Sequence, residues 1–333
     1  IEFKIMNKNL FDGHLVFKGS KNFTKVSGRL KHNNKLKKIT KFFEKKILNK
    51  KNQLFRNSKM VCINGSSKCF NKSKKIFIKD GFNYHICGCD MVYVNPVLKD
   101  QIFHTNLYNE NSYTEVMRNK PNLMLDNKKF KYGLKKVNNK KKIKKVLDVG
   151  CGFGFFLDVA RKEGWDVYGS EINKECIKVL NKKKIPNINI ENCGKETFDL
   201  ITLWTVYEHL IDPNDFLKKI LRLLKINGKI IINIPNIDSL SARILHDKCS
   251  MFHGHQHLNF YSPKTLGTLF KKNNLKIENL ETVISDIDTV RNHISFQKPY
   301  EGDSNKNFYF LNPNVMHKNL MGYTILAVAK KNK

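Results

Sequence analysis

A doubly wound α/β fold, with helices covering both faces of a mostly parallel sheet, is the class this 333-residue sequence predicts. Three observations lead there. From Val146 onward short apolar segments alternate with helical ones, the pattern of βαβ units. Residues 146–156, VLDVGCGFGFF, end a strand in three glycines at every second position. The run IIINI at 230–234 is apolar on both faces, as a strand buried under two layers of helix must be.

Residues 1–58 read as a basic, flexible extension. Within it KLKKITKFFEKKIL spaces Leu36, Ile39, Phe43 and Ile47 as one amphipathic helix would. Residues 59–97 hold four of the eight cysteines and close on MVYVNP, and a helical, Lys-rich connector occupies 98–145. The main domain, 146–333, begins with the strands KVLDVG, WDVYGS, NINIE, FDLITLW and GKIIINIP. Between them lie the helices GFFLDVARKEG, NKECIKVLNKK and DPNDFLKKILRLLK, the last with Asp212 as N-cap and Pro213 as first residue. Two late strands, LKIENLETVIS and GYTILAVAKK, flank an insertion at about 285–320.

The net charge is +32, but residues 1–60 carry +14 of it and 128–145 another +10, against +6 for 146–333. Only seven of the 61 basic residues are Arg, the better reader of phosphates and bases. A nucleic-acid partner is therefore the lesser expectation beside a solvated basic surface. No apolar run reaches the roughly 18 to 20 residues of a membrane span, and the first residues lack a secretory signal, so no transmembrane segment and a cytoplasmic location are expected. The sequence leaves the oligomeric state open.

In a doubly wound sheet ligands sit beyond the carboxyl ends of the strands. Gly150, Gly152 and Gly154 lie there, with spacing GxGxG rather than the GxGxxG of dinucleotide folds, and Phe155 stands where the last glycine would be. Asp148, inside the strand, would repel a pyrophosphate but could help orient a ligand with an amino group and a sulfonium. Glu171 ends the second strand, where a carboxylate can accept both hydroxyls of a ribose.

The ordered set VLDVGCGFGFFL, VYGSEI, FDLITLWTVYEHLIDPNDFLKKILRLLKINGKIIINIPN and HQHLNFYSPKTLGTLFKKNNLKI resembles class I methyltransferases dependent on S-adenosyl-L-methionine (SAM), the ubiquinone-biosynthesis type above all. The resemblance implies a Rossmann-like seven-stranded sheet with an antiparallel last strand, and methyl transfer to a small-molecule or glycan acceptor, with oxygen as the expected site. An RNA methyltransferase or a non-catalytic binding protein are the alternatives. It implies that Asp148, Gly150, Cys151, Gly152 and Gly154 surround the methionine end of SAM, that Glu171 holds the ribose and that Ile172 meets the adenine. Trp204 and Tyr207 would line the junction with the acceptor, core packing being their other reading. The segment NINIENCGKETFDL is shorter than in relatives and leaves Glu191, Asn192 and Cys193 for the adenine side.

Glu208 and His209 follow the fourth strand, where a general base for a hydroxyl acceptor would act. Some relatives carry a metal-binding ExxEH there; Thr205 at its first position leaves that set incomplete. His253, His255 and His257 alternate, and the resemblance gives His257 an acceptor-side role, as base or positioning group, in competition with shaping the fold. The cysteine segment resembles the zinc-ribbon preceding many such enzymes. Cys62, Cys69, Cys87 and Cys89 would bind zinc, with His85 a substitute, although neither knuckle has the usual spacing. A ribbon keeping only the shape is the alternative.

Overall fold

The computed structural model describes residues 11–13, 41, 44, 45, 55, 56, 69, 71–99, 118–137 and 144–332. Strands β1 (Phe55–Arg56), β2 (Lys74–Lys79), β3 (Phe82–Ile86), β4 (Val92–Val94) and β5 (Val97–Leu98) precede helix α1 (Lys120–Lys136). The alternation then begins: β6 (Lys145–Val149), α2 (Phe155–Lys162), β7 (Asp166–Ser170), α3 (Lys174–Lys182), β8 (Phe198–Trp204), α4 (Pro213–Leu223) and β9 (Leu224–Pro235). After α5 (Leu240–Leu245) come β10 (Asn259–Phe260), α6 (Pro263–Lys272), β11 (Leu275–Ile284), α7 (Ile287–Ile294), α8 (Pro313–Lys318) and β12 (Thr324–Lys331).

The main sheet runs β11-β12-β9-β8-β6-β7. β6, β7, β8 and β9 are parallel, and β12 is antiparallel to both β9 and β11. Ile230, Ile231, Ile232 and Ile234 of β9 are fully buried, as a central strand with helices on both faces requires. Asp212 caps α4 by accepting from the Asp215 amide at 3.0 Å, and Pro213 opens the helix, as the sequence predicts.

The doubly wound fold and its antiparallel last strand are as expected, but among the described residues the sheet has six strands where seven were expected. NINIE forms one parallel bridge, Gly169 to Asn187, followed by a 3-10 turn over Ile190–Asn192. Two side chains end the strand early. Asn187 spends its amide on the Glu171 backbone, and Asn189 turns back to accept from the Glu191 amide at 2.9 Å.

A second, antiparallel sheet runs β10-β4-β3-β2, joining the cysteine segment to a strand from the main domain. The Val94 amide donates to the Leu258 carbonyl and the Leu258 amide to the Glu208 carbonyl, both at 2.9 Å. This pair of bonds ties the HLNFYS stretch to the end of β8. Phe11, Asp12 and Gly13 of the extension lie on the main domain: Phe11 stacks on Tyr132, and the Gly13 amide donates to the Val283 carbonyl. Lys41, Glu44 and Lys45 are helical; Leu36, Ile39, Phe43 and Ile47 of the expected basic helix lie outside the described residues. No helix among the described residues is long and apolar enough to cross a membrane.

Candidate active site

The glycine turn leaves β6 and folds back on the end of β7, the Gly150 amide donating to the Ser170 carbonyl at 2.7 Å. Gly150, Gly152 and Gly154 all have positive φ, at 67°, 52° and 72°. Their surroundings differ. A Cβ on Gly150 would lie 2.6 Å from Val206, and one on Gly154 2.8 Å from Leu180, whereas one on Gly152 would meet nothing within 4 Å. Gly150 and Gly154 are glycine because the protein is close; Gly152 faces an open cradle. The Cys151 side chain is buried and turned toward Gly169, so only its backbone can face that cradle.

Glu171 stands at the rim. One carboxylate oxygen accepts from the Gly152 amide at 2.8 Å and the other from the Ile172 and Asn173 amides, each at 2.8 Å. These bonds fix the carboxylate while leaving it lone pairs for ribose hydroxyls. Asn187, which sequence reasoning missed, holds the Glu171 backbone from the other side. Ile172, next to Glu171, is 72% exposed. Glu191, considered for the adenine side, is instead paired with Lys219 of α4 at 2.9 Å.

Asp148 lies beneath the loop, buried, and accepts from the Thr202 hydroxyl at 2.7 Å. Burial pushes its carboxyl up to about 8, against the lowering effect of that bond. The carboxyl is therefore held inside the sheet against Thr202 rather than exposed at the glycine turn.

At the end of β8 the core reading holds for both aromatics. Trp204 is packed edge-on to Phe130 and against Phe156, with α1 so close that its ring lies 2.7 Å from where a Gly133 Cβ would be. Tyr207 is fully buried beside Tyr261 and donates to the Pro213 carbonyl at 2.8 Å. The surface at this point belongs instead to Thr205, exposed and in the left-handed region at φ 54°, and to Val206, which closes over Gly150. A β-branched residue is strained there, and such strain collects at functional sites. Nothing in the sequence signals it.

Beyond Thr205 the chain turns and brings Glu208, His209 and His257 together, with one potential ligand atom from each within 4.8 Å of the others. Glu208 is buried, and burial pushes it up to about 8, against the lowering effects of its own backbone amide and of Lys129. His209 Nδ1 lies 2.8 Å from the Gln256 carbonyl, and His257 Nδ1 lies 2.7 Å from the Met251 carbonyl. The two rings meet edge to face at 4.9 Å. Burial lowers both imidazoles, His257 to about 3, so the rings are neutral near pH 7. His255 is buried against Phe82 and is lowered to about 4 by burial first and by the neighbouring His209 second.

The thiols of Cys69, Cys87 and Cys89 also lie within 4.8 Å of one another, with Cys87 and Cys89 2.9 Å apart. Cys62 lies outside the described residues. Three converging sulfurs suit a tetrahedral zinc, which would spread the closest pair to about 3.8 Å, given Zn–S bonds near 2.3 Å. His85 is not part of this group; its ring stacks on Tyr93.

Comparison with known proteins follows the same segment. Residues 108–280 match the family model described as a methyltransferase domain. An uncharacterized protein of Methanocaldococcus jannaschii is 34% identical over 121 residues, 36% of this chain and 53% of that protein. A ubiquinone biosynthesis O-methyltransferase of Vibrio parahaemolyticus is 31% identical over 106 residues, 28% of this chain and 44% of the relative. The matched region thus spans about half the length of these curated relatives. A SAM-dependent methyltransferase structure from Archaeoglobus fulgidus superposes with a TM-score of 0.46 at 19% identity, covering 67% of this chain and all of that one.

Proposed function

This chain belongs to the methyltransferase-domain family, with the class I fold expected of it, and we propose that it transfers the methyl group of SAM to an oxygen of a small molecule or glycan. The observation that carries the reading is the open cradle over Gly152, bounded by the Glu171 carboxylate that holds the loop amide. SAM fits this chemistry: its ribose hydroxyls would donate to Glu171, its adenine would lie on exposed Ile172, and its methionine end would pass over the Gly152 backbone. SAM supplies an electrophilic methyl on a sulfonium. The chain's own residues position the acceptor beside Thr205 and Val206, so that its oxygen lies in line with the breaking S–CH3 bond. The O–CH3 bond forms as S–CH3 breaks, S-adenosylhomocysteine leaves, and the acceptor's proton goes to solvent.

Calorimetry with SAM and S-adenosylhomocysteine tests the cofactor half: micromolar binding is expected, and no heat at millimolar ligand would overturn it. Transfer of labelled methyl from SAM into a metabolite extract tests the other half. The label should enter a low-mass product; label confined to RNA would refute the small-molecule or glycan acceptor.

A further inference from the structure

The two most exposed large apolar side chains among the described residues, Phe296 at 98% and Tyr309 at 93%, stand in the insertion between β11 and β12, with Phe310 at 64% beside them. Aromatic rings grouped and left open in this way mark a contact surface. We infer that Phe296, Tyr309 and Phe310 dock this chain on an anionic lipid bilayer, the rings entering its interfacial layer.

The rings are held out by the fold itself. In the run 308–311 the outer residues, Phe308 and Leu311, join an apolar cluster with Ile287, Val290 and Met316, and the Leu311 amide donates to the Phe308 carbonyl at 2.8 Å. The inner residues, Tyr309 and Phe310, are thereby left on the outside of the turn. Ile294 packs on the same cluster, and two residues later Phe296 adopts the left-handed region at φ 60°, a strained conformation for an aromatic residue. Asn292 pins the loop that follows: its side chain donates to the Pro299 and Gly302 carbonyls, both at 3.0 Å, and accepts from the Ser304 amide at 3.1 Å. Both aromatic tips therefore project from one small core, and little further ordering is needed for them to dock.

Charge selects the partner. With a net charge of +32 a second copy of the chain is repelled, whereas an anionic surface is attracted. Close to the tips, residues 295–320 carry Lys298, Lys306 and Lys318 against Glu301 and Asp303, so the local balance does not oppose that field. A single-stranded RNA is also anionic, but its bases stack on aromatic platforms set in a basic groove. Here the rings protrude from two turns, which suits the layer between headgroups and acyl chains: Phe296 and Phe310 are buried there while the Tyr309 hydroxyl stays wet. Because β12 is antiparallel to β9 and to β11, the insertion leaves the sheet at the carboxyl edge of the parallel strands, the edge at which the Gly152 cradle opens.

The test is co-sedimentation of the full chain with vesicles of phosphatidylcholine, alone or in equal parts with phosphatidylglycerol. The variants are Phe296→Asn, which places a residue at ease in the left-handed region, and Tyr309→Ser combined with Phe310→Ser. The replaced side chains are exposed, so both variants should keep the wild-type Tm and the wild-type response to SAM. Wild type should bind the mixed vesicles more tightly than the neutral ones and release them as salt rises. Each variant should partition onto the mixed vesicles at least about fivefold more weakly than wild type, as expected when part of an aromatic side chain no longer leaves water. No binding by wild type, or equal partitioning of wild type and both variants, would overturn the surface; in the second case the basic residues elsewhere suffice. Substitutions that weaken binding of poly-uridine but not of mixed vesicles would overturn it in favour of RNA. Substitutions that abolish a wild-type dimer in sedimentation velocity, with vesicle binding unchanged, would overturn it in favour of a second copy.

Discussion

Replacing Gly152 with Ala separates a ligand-facing glycine from a structural one. The new methyl meets no protein atom within 4 Å, so the fold bears only the left-handed backbone at φ 52°. That costs about 1–2 kcal/mol, offset by the roughly 0.4–1 kcal/mol that Ala gains by restricting the unfolded chain. The net loss of stability should be between about 0 and 1.6 kcal/mol. SAM, in contrast, would meet a methyl where it should meet backbone, and overpacking of that kind costs about 1–3 kcal/mol, a roughly 5- to 150-fold rise in Kd. Gly154→Ala has the reverse signature: its Cβ would lie 2.8 Å from Leu180 and 3.1 Å from Ile185, so its cost, about 2–5 kcal/mol on adding strain and overpacking, falls on the fold. Urea unfolding gives one number for each variant and calorimetry with SAM the other. Gly152→Ala binding SAM within twofold of wild type would refute the placement of the cofactor over this loop.

Tyr207→Phe should lose about 0.5–1.5 kcal/mol of stability with its bond to the Pro213 carbonyl and leave methyl transfer unchanged; a selective loss of turnover would return Tyr207 to the acceptor site. Asp148→Asn should change the pH dependence of SAM-free stability. The folded acid holds its proton up to about 8 while the unfolded one releases it near 3.8, so its stabilising contribution is present at low pH and lost as pH rises through that window. Asn stays neutral throughout, and the Tm difference between variant and wild type should move in the variant's favour from about pH 5 to about pH 8; parallel curves would sink this reading. Cys87→Ser should reduce bound zinc measured by mass spectrometry and lower Tm, whereas equal zinc in both proteins would exclude the thiol group as its site.

The parts of the fold legible in sequence are those set by local periodicity and capping. α4 begins at Pro213 behind Asp212, and β9 is buried on both faces, because such signals lie within a few residues of one another. The third strand failed because its apolar alternation was overridden by Asn187 and Asn189, whose side chains compete with the ladder for backbone groups. Trp204 and Tyr207 end a strand at the ligand edge, so the sequence alone leaves lining of the cofactor–acceptor junction and core packing both open. Their burial depends on Gly133 and Tyr261, distant in sequence, and on the left-handed turn at Thr205 that redirects the chain. Among the cofactor candidates, motif spacing located the glycines but could not say which one faces open space; that depends on Val206 and Leu180.

The cysteine segment and the Glu208–His257 region form one mechanical unit. β4 pairs with β10, the Val94 amide holds the Leu258 carbonyl, and the Leu258 amide holds Glu208 itself. Lys264 at the start of α6 adds an ion pair to Asp90 in the second knuckle, at 2.6 Å, but both side chains are exposed and the pair contributes little to stability. Register is therefore carried by the backbone bonds. Since Leu258 directly follows His257, loosening β3 and β4 would shift His257 relative to Glu208, whereas the Gly152 loop is held from β6 and β7 by the Gly150 amide on Ser170 and by Glu171 on the Gly152 amide. The physical consequence is a division of labour. The N-terminal sheet sets the geometry of the Glu208–His257 region, whereas β6 and β7 set the geometry of the Gly152 loop.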